Sequence, residues 1–252
     1  MLDYDQELLR HHAAFRRACN IARTDLVLDI GCGAGETTRE AARSACDGQA
    51  LGIDRSEAMV EKARALAREQ GPQNVSFACA DVETYAFPAR QLDIAISRFG
   101  SMFFADAGKA FSNICSTLKP LARLVMIVWQ TREQNEWAVE IPRALAGDEV
   151  SPVVWQAFSL GDPSAAKHTL NTAGFIDVTF DEVHEPVFYG ADIESAFAFV
   201  SQFLLVQETL KTMADSVRKQ AQARLRALLE QHLTPNGVWF DARAWIISAR
   251  NH

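Results

Sequence analysis

Five short apolar runs constrain this chain more than any other feature. They are "LVLDI" (26–30), "ALGI" (50–53), "VSFAC" (75–79), "LDIAIS" (92–97) and "ARLVMIVW" (122–129). Each is strand-sized and lacks strict alternation, as parallel strands covered on both faces do. Helical patterns lie between them. In "SEAMVEKARALAREQG", Ser56 is placed as an N-cap, Ala58, Met59, Ala63, Leu66 and Ala67 form an apolar stripe, and Gly71-Pro72 is a stop. A second helix is expected from Ala107 to Leu118, ended by Lys119-Pro120. Alternating strand and helix implies right-handed crossovers and a doubly wound, mostly parallel sheet with helices on both faces.

The second half has another texture. "DPSAAKHTLNTAGF" reads as a helix ending at Gly174, and "DVTFDEVHEPVFY" (177–189) as one long strand. Residues 192–233 are helical in pattern, with Leu210, Met213, Val217, Ala221, Leu225 and Leu228 at spacings of three and four. "GVWFDARAWIISAR" (237–250) is expected as a further strand with partial alternation. At 252 residues, one α/β domain is expected over 1–252. It would have an N-terminal helical cover (1–24), a ligand-binding half (25–130) and two insertions (131–175 and 190–236).

The first run ends in "DLVLDIGCGAGETT", with glycines at 31, 33 and 35. In a doubly wound sheet, ligands bind beyond the carboxyl ends of the strands. Glycines there permit unusual backbone angles and close approach by a ligand. The spacing is G-x-G-x-G. The dinucleotide fingerprint needs a further glycine where Glu36 stands, and a carboxylate at that point repels a pyrophosphate. The expected ligand carries a cationic group and no phosphate. Asp54 ends the second strand, where a carboxylate accepts from both hydroxyls of a ribose. Asp81 closes the third, in "FACADVE", placed to meet an adenine amino group. Each residue also has an ordinary alternative: the glycines as tight packing, Asp54 as an N-cap, Asp29 as a turn hydrogen-bonder, Met59 as core.

Taken in order, "VLDIGCGAGETT", "GIDRSEAMVEKAR", "ACADVETYAFP", "LDIAISRFGSMFF" and "LKPLARLVMIVW" resemble the class I S-adenosylmethionine-dependent methyltransferases over residues 25–129. "LNTAGFIDVTF" and "AWIISAR" extend the resemblance to the bacterial small-molecule, UbiE-like group. "LKPLARL" departs from it, because the family usually has a glycine pair after the proline. The resemblance implies a Rossmann-like seven-stranded sheet with helical insertions forming a lid. It implies S-adenosylmethionine as cofactor and S-adenosylhomocysteine as product. Asp29 and Gly31 would hold the methionine end, with Gly33 and Gly35 shaping the loop. Asp54 would bind the ribose, with Arg55 and Met59 beside the adenosine. Asp81 and Val82 would contact the adenine, and the backbone of Arg98 would line the methionine side.

The implied reaction is in-line methyl transfer to carbon, nitrogen or oxygen of a small-molecule acceptor. The leaving group departs neutral, so alignment and water exclusion matter most. A general base would assist a carbon or oxygen acceptor. Candidates are His11 and His12 in the expected N-terminal helix, and His184 between Glu182 and Glu185; His168 and His232 read as structural. Trp129, Trp137, Trp155, Phe158, Phe197, Phe199 and Phe203 are expected as aromatic walls for the acceptor. "SRFGSMFF" lacks the Asn/Asp-Pro-Pro-aromatic motif of enzymes that methylate nucleic-acid or glutamine nitrogens. With a net charge of −7, this argues against nucleic acid as partner. The five cysteines include no C-x-x-C, so neither a metal site nor a disulfide framework is expected. No run is long enough to span a membrane, and "MLDYDQELLRHH" is no secretory signal, so a cytoplasmic protein is expected. The alternative function is a non-catalytic S-adenosylmethionine-binding regulatory or assembly protein on the same fold. A nicotinamide-dependent dehydrogenase is disfavoured by the loop spacing.

Overall fold

In a computed structural model, which describes residues 4–146 and 156–252, all five apolar runs become strands. They are β1 (Leu26–Ile30), β2 (Gln49–Asp54), β3 (Val75–Cys79), β4 (Leu92–Arg98) and β5 (Leu118–Trp129). The remaining strands are β6 (Phe175–His184), β7 (Val187–Gly190), β8 (Leu233–Thr234), β9 (Gly237–Phe240) and β10 (Arg243–Asn251). The helices are α1 (Tyr4–Glu7), α2 (Leu9–Cys19), α3 (Glu36–Ser44), α4 (Glu57–Gln70) and α5 (Ala107–Thr117). Then come α6 (Glu136–Ala146), α7 (Pro163–Thr172), α8 (Ile193–Val200), α9 (Leu204–Thr212) and α10 (Asp215–Gln231).

A seven-stranded sheet has the order β3-β2-β1-β4-β5-β10-β6. The pairs β1–β2, β2–β3, β1–β4 and β4–β5 are parallel, and β10 is antiparallel to β5. The order reverses at β1, between β2 and β4, so a crevice opens beyond the carboxyl end of β1. Val27, Leu28, Ile30, Ile53, Ile94, Ala95 and Ile96 are all buried. Burial on both faces is why these runs show no alternation.

Two expected long strands are broken. The chain reads as one strand through 177–189, but Glu185-Pro186 separates β6 from β7. Proline has no N–H to give a ladder. Likewise Asp241-Ala242 separates β9 from β10. The pieces serve different sheets, since β7 and β9 join β8 in a three-stranded antiparallel sheet of order β7-β9-β8. Alternation records which side chains are buried, not which sheet buries them.

Two units result. The α/β unit comprises Ala14–Trp129, Gln156–Glu182 and Ala244–His252; the other comprises Met1–Ala13, Gln130–Trp155 and Val183–Arg243. The expected segments divide accordingly. Phe15 is fully buried and the Arg123 guanidinium donates to the Cys19 carbonyl at 2.6 Å, so the end of α2 is core of the α/β unit. In the same unit α7 packs against α5. In the other, α8 and α1 pack on β7, α10 packs on α6 and α8, and Tyr189, Phe199, Phe203 and Phe240 form one aromatic cluster.

Where the family usually has a glycine pair after the proline, β5 continues with Leu121 at φ +62°, a left-handed angle that glycine takes more readily. Its side chain is 60 % exposed. The β4–β5 register shifts at this end, between Leu92 and Ile94.

Candidate active site

At the carboxyl ends of β1 to β4 the α/β unit carries an open cavity of about 490 Å³. Its lining includes Gly31, Asp54, Arg55, Asp81, Val82, Arg98, Phe99, Gly100, Phe103 and Phe104. The volume suits a nucleoside-sized ligand.

The glycine loop makes one wall. Gly31, Gly33 and Gly35 all have positive φ, at +68°, +53° and +78°. Their further reasons differ. A Cβ on Gly31 would lie 2.8 Å from Gly100 Cα, so the loops after β1 and β4 meet backbone to backbone. A Cβ on Gly35 would lie 2.5 Å from the Phe77 ring, so this glycine, the N-cap of α3, is a packing requirement. A Cβ on Gly33 would meet nothing within 4 Å, and only its backbone angle demands glycine.

Asp54 holds the loop. Its Oδ2 accepts from Gly33 N–H at 2.9 Å and its Oδ1 from Ser56 N–H at 2.8 Å. A carboxylate has about four acceptor sites, so capacity remains for two ligand hydroxyls. Ser56 caps α4 through Met59 N–H, which frees Asp54 from that duty.

Asp29 lies behind the loop, 1 % exposed, and accepts from the Thr38 hydroxyl at 2.6 Å. Burial pushes its carboxyl up to about 7, while Thr38 and Arg98 act the other way and Asp54 adds to the rise. Burial also pushes the Cys32 thiol up, which keeps this loop cysteine protonated and inert. Arg98 pairs with Glu36 at 3.6 Å. Glu36 is thus partly compensated, and its expected repulsion of a pyrophosphate is weaker than the sequence alone implies. Arg55 faces Asp81 at 3.7 Å, and Asp81 Oδ1 accepts from Glu83 N–H at 2.9 Å.

Of the residues expected to bind cofactor, Gly31, Asp54, Arg55, Asp81, Val82 and Arg98 line the cavity. Asp29, Gly33 and Gly35 support that wall from behind or beside it. Met59 stands half-buried on the first turn of α4 and is not part of the lining. Phe99, Phe103 and Phe104 also line the cavity, although their segment, "SRFGSMFF", carries no site role in the sequence beyond the family resemblance and the motif it lacks. Their signal was position, because they directly follow a strand end at the switch in strand order. Thr38 was likewise not expected as the partner of Asp29.

The candidate bases lie in the other unit. His11 is fully buried, and burial lowers its pKa to about 4; His12 is also buried. His184 Nε2 is 2.6 Å from Asp241 Oδ1, with both side chains about half exposed. His232 stacks on Phe240 with centroids 3.9 Å apart. Among the aromatic candidates, Trp129 packs on Phe99, Phe199 and Phe203 join the Tyr189 cluster, and Phe197 lies under Arg226. Trp137 is buried in α6 and Phe158 sits in a short 3₁₀ turn of the α/β unit. Trp155 lies outside the described residues. Among the described residues no cluster of His, Cys, Asp and Glu could hold a metal ion, and no helix is long and apolar enough to cross a membrane.

Residues 27–121 match the methyltransferase-domain family. The uncharacterized methyltransferase YcgJ of Bacillus subtilis is 36% identical over 101 residues, which are 40% of this chain and 39% of that protein. The aklanonic acid methyltransferase DauC of a Streptomyces species is 39% identical over 93 residues, 36% of this chain and 42% of the relative. The chain therefore spans about two fifths of the length of these curated relatives. In solved structures the fold is matched over nearly the whole chain. The B. subtilis YcgJ structure superposes with a TM-score of 0.63 at 20% identity, covering 96% of this chain and 99% of the other. Phosphoethanolamine N-methyltransferase 2 of Haemonchus contortus, solved with S-adenosylhomocysteine, gives 0.59 at 19% identity, covering 96% and 52%.

Proposed function

We propose, for a chain whose residues 27–121 form a class I S-adenosylmethionine-dependent methyltransferase domain, that it transfers a methyl group to a small-molecule acceptor. The observation that carries this reading is Asp54. Its carboxylate lines the cavity, is fixed by two backbone N–H groups, and keeps acceptor capacity for a ribose. The cavity volume and the place of Gly31 in its lining fit the same cofactor.

Bound there, S-adenosylmethionine supplies a methyl group on a sulfonium that leaves as a neutral thioether. The chain's part is to bind, align and keep water out. Asp54 takes the ribose hydroxyls, Asp81 and Val82 face the base, and Arg55 closes that end through its pairing with Asp81. Gly31 and the backbone at Arg98 take the methionine end, with Asp29 stabilising the loop through Thr38. Phe99, Phe103 and Phe104 add apolar surface to the lining, which favours desolvation of the reacting groups. The net charge of −7 supports a small molecule rather than a nucleic acid as acceptor.

Calorimetric titration with S-adenosylhomocysteine and with NAD tests the cofactor. Binding of the first alone is expected; tight NAD binding without any response to S-adenosylhomocysteine refutes the reading. Methyl transfer to a metabolite panel then separates an enzyme from a non-catalytic binding protein. We also propose that residues 1–24 and the 190–236 insertion respond to ligand. Their hydrogen exchange should slow with S-adenosylhomocysteine, and unchanged exchange refutes it.

A further inference from the structure

Phe99 carries a bulky side chain at φ +55°, a backbone region that such residues rarely adopt. It directly precedes Gly100, where the loops after β1 and β4 touch. Glycine at position 99 would take this turn without strain. The chain instead keeps an aromatic ring there. It fixes it by a hydrogen bond from Phe99 N–H to the Ile127 carbonyl at 2.9 Å and by packing the ring on Trp129, centroids 4.2 Å apart at 31°. Strain held in place by surrounding structure at a ligand cavity is an observation from which a role can be argued.

The carboxylates near this part of the cavity each make bonds within the protein. Asp54 accepts from Gly33 and Ser56 N–H groups, and Glu36 faces Arg98. Asp29 is buried on Thr38 and outside the lining. Asp81 faces Arg55 at the base end. A cation held between the Asp54 end and the Gly31 end lies in the field of the Asp54 carboxylate, which its two backbone hydrogen bonds leave charged. Phe99, in the lining at the tip of β4, adds an aromatic ring there, and an aromatic face attracts a desolvated cation through its quadrupole.

We propose that Phe99 is a specificity-determining residue whose ring recognises the positive charge of the sulfonium, so that the site distinguishes charged cofactor from neutral product. This rests on the cofactor reading above. The reaction removes the charge, and with it the attraction, which favours release of the product over retention.

The test compares the affinities of S-adenosylmethionine and S-adenosylhomocysteine by calorimetry in the full chain. Phe99→Leu should weaken S-adenosylmethionine by about tenfold and S-adenosylhomocysteine by less than about twofold. Phe99→Trp should retain the preference. Because Phe99 is buried on Trp129, a Leu variant that fails to fold is replaced by fluorinated phenylalanines incorporated at position 99. These keep the shape and drain the ring face of charge, so affinity for S-adenosylmethionine should fall stepwise with fluorine count while that for S-adenosylhomocysteine stays level. Equal changes for both ligands, or none, overturn the role of Phe99 and leave the cofactor reading standing. Failure of the unaltered protein to bind either ligand overturns the cofactor reading itself, and this inference with it.

Discussion

Replacing Asp54 with alanine separates binding from folding. In the free protein the carboxylate accepts two backbone N–H bonds, from Gly33 at 2.9 Å and Ser56 at 2.8 Å. Asp54 is only half-buried, so water reaches the freed amides, and the loss of stability should be about 1–2 kcal/mol. In the proposed complex the same carboxylate would accept from two ribose hydroxyls. Charge-assisted bonds contribute about 1.5–3 kcal/mol each, so the lower bound for the pair is about 3 kcal/mol, or roughly a hundredfold in affinity. The loop also loses its tie to β2, which adds to the loss. Asp54→Asn keeps the shape and one acceptor oxygen but presents N–H groups where donors already point, so it should fall between. The assay is calorimetry with S-adenosylhomocysteine beside urea unfolding of each variant. A folded alanine variant that binds with unchanged affinity refutes the ribose role. A variant that unfolds outright refutes the estimate that the two backbone bonds are modest.

The other loop and strand positions give independent checks. Gly35→Ala should destabilise by about 2 kcal/mol or more, because its Cβ meets Phe77 at 2.5 Å, whereas Gly33→Ala should cost only about 1 kcal/mol from backbone strain; thermal melts of both variants check the order. Leu121→Gly should raise stability by about 1 kcal/mol, since the residue is exposed at φ +62° and the substitution removes left-handed strain; a melting temperature that falls contradicts this. Asp29 has a folded pKa raised to about 7, above its unfolded value. The folded state therefore holds the extra proton between about pH 4 and 7, and this carboxyl's contribution to stability falls as pH rises through that window. Asp29→Asn should flatten that part of the profile in urea unfolding, and an unaltered slope counts against the burial argument.

The α/β half was legible because its strands are buried on both faces and its loop glycines have few substitutes. Leu26–Ile30, the glycines after it, and the acids at the ends of β2 and β3 are local signals with one geometric reading once the strands are parallel. The division of the second half was not legible. Period-two patterning runs through Glu185-Pro186 and Asp241-Ala242 although the sheet changes there. Phe15 reads as part of a helical cover over 1–24, yet it is fully buried and belongs to the α/β unit. The Glu36–Arg98 pair joins residues far apart in sequence, so Glu36 alone carried more weight against a phosphate than the folded site gives it. Phe99 was hidden for a related reason, because a positive φ on phenylalanine leaves no mark in the sequence.

Asp54 and the glycine loop are proposed to cradle the nucleoside of S-adenosylmethionine. A crystal structure of the protein with S-adenosylhomocysteine tests it most directly. Both ribose hydroxyls are expected within hydrogen-bond distance of the Asp54 carboxylate, the base beside Asp81 and Val82, and the amino-acid end against Gly31 and the Arg98 backbone. A ligand whose ribose lies away from Asp54, or whose base occupies the Gly31 end, would contradict it.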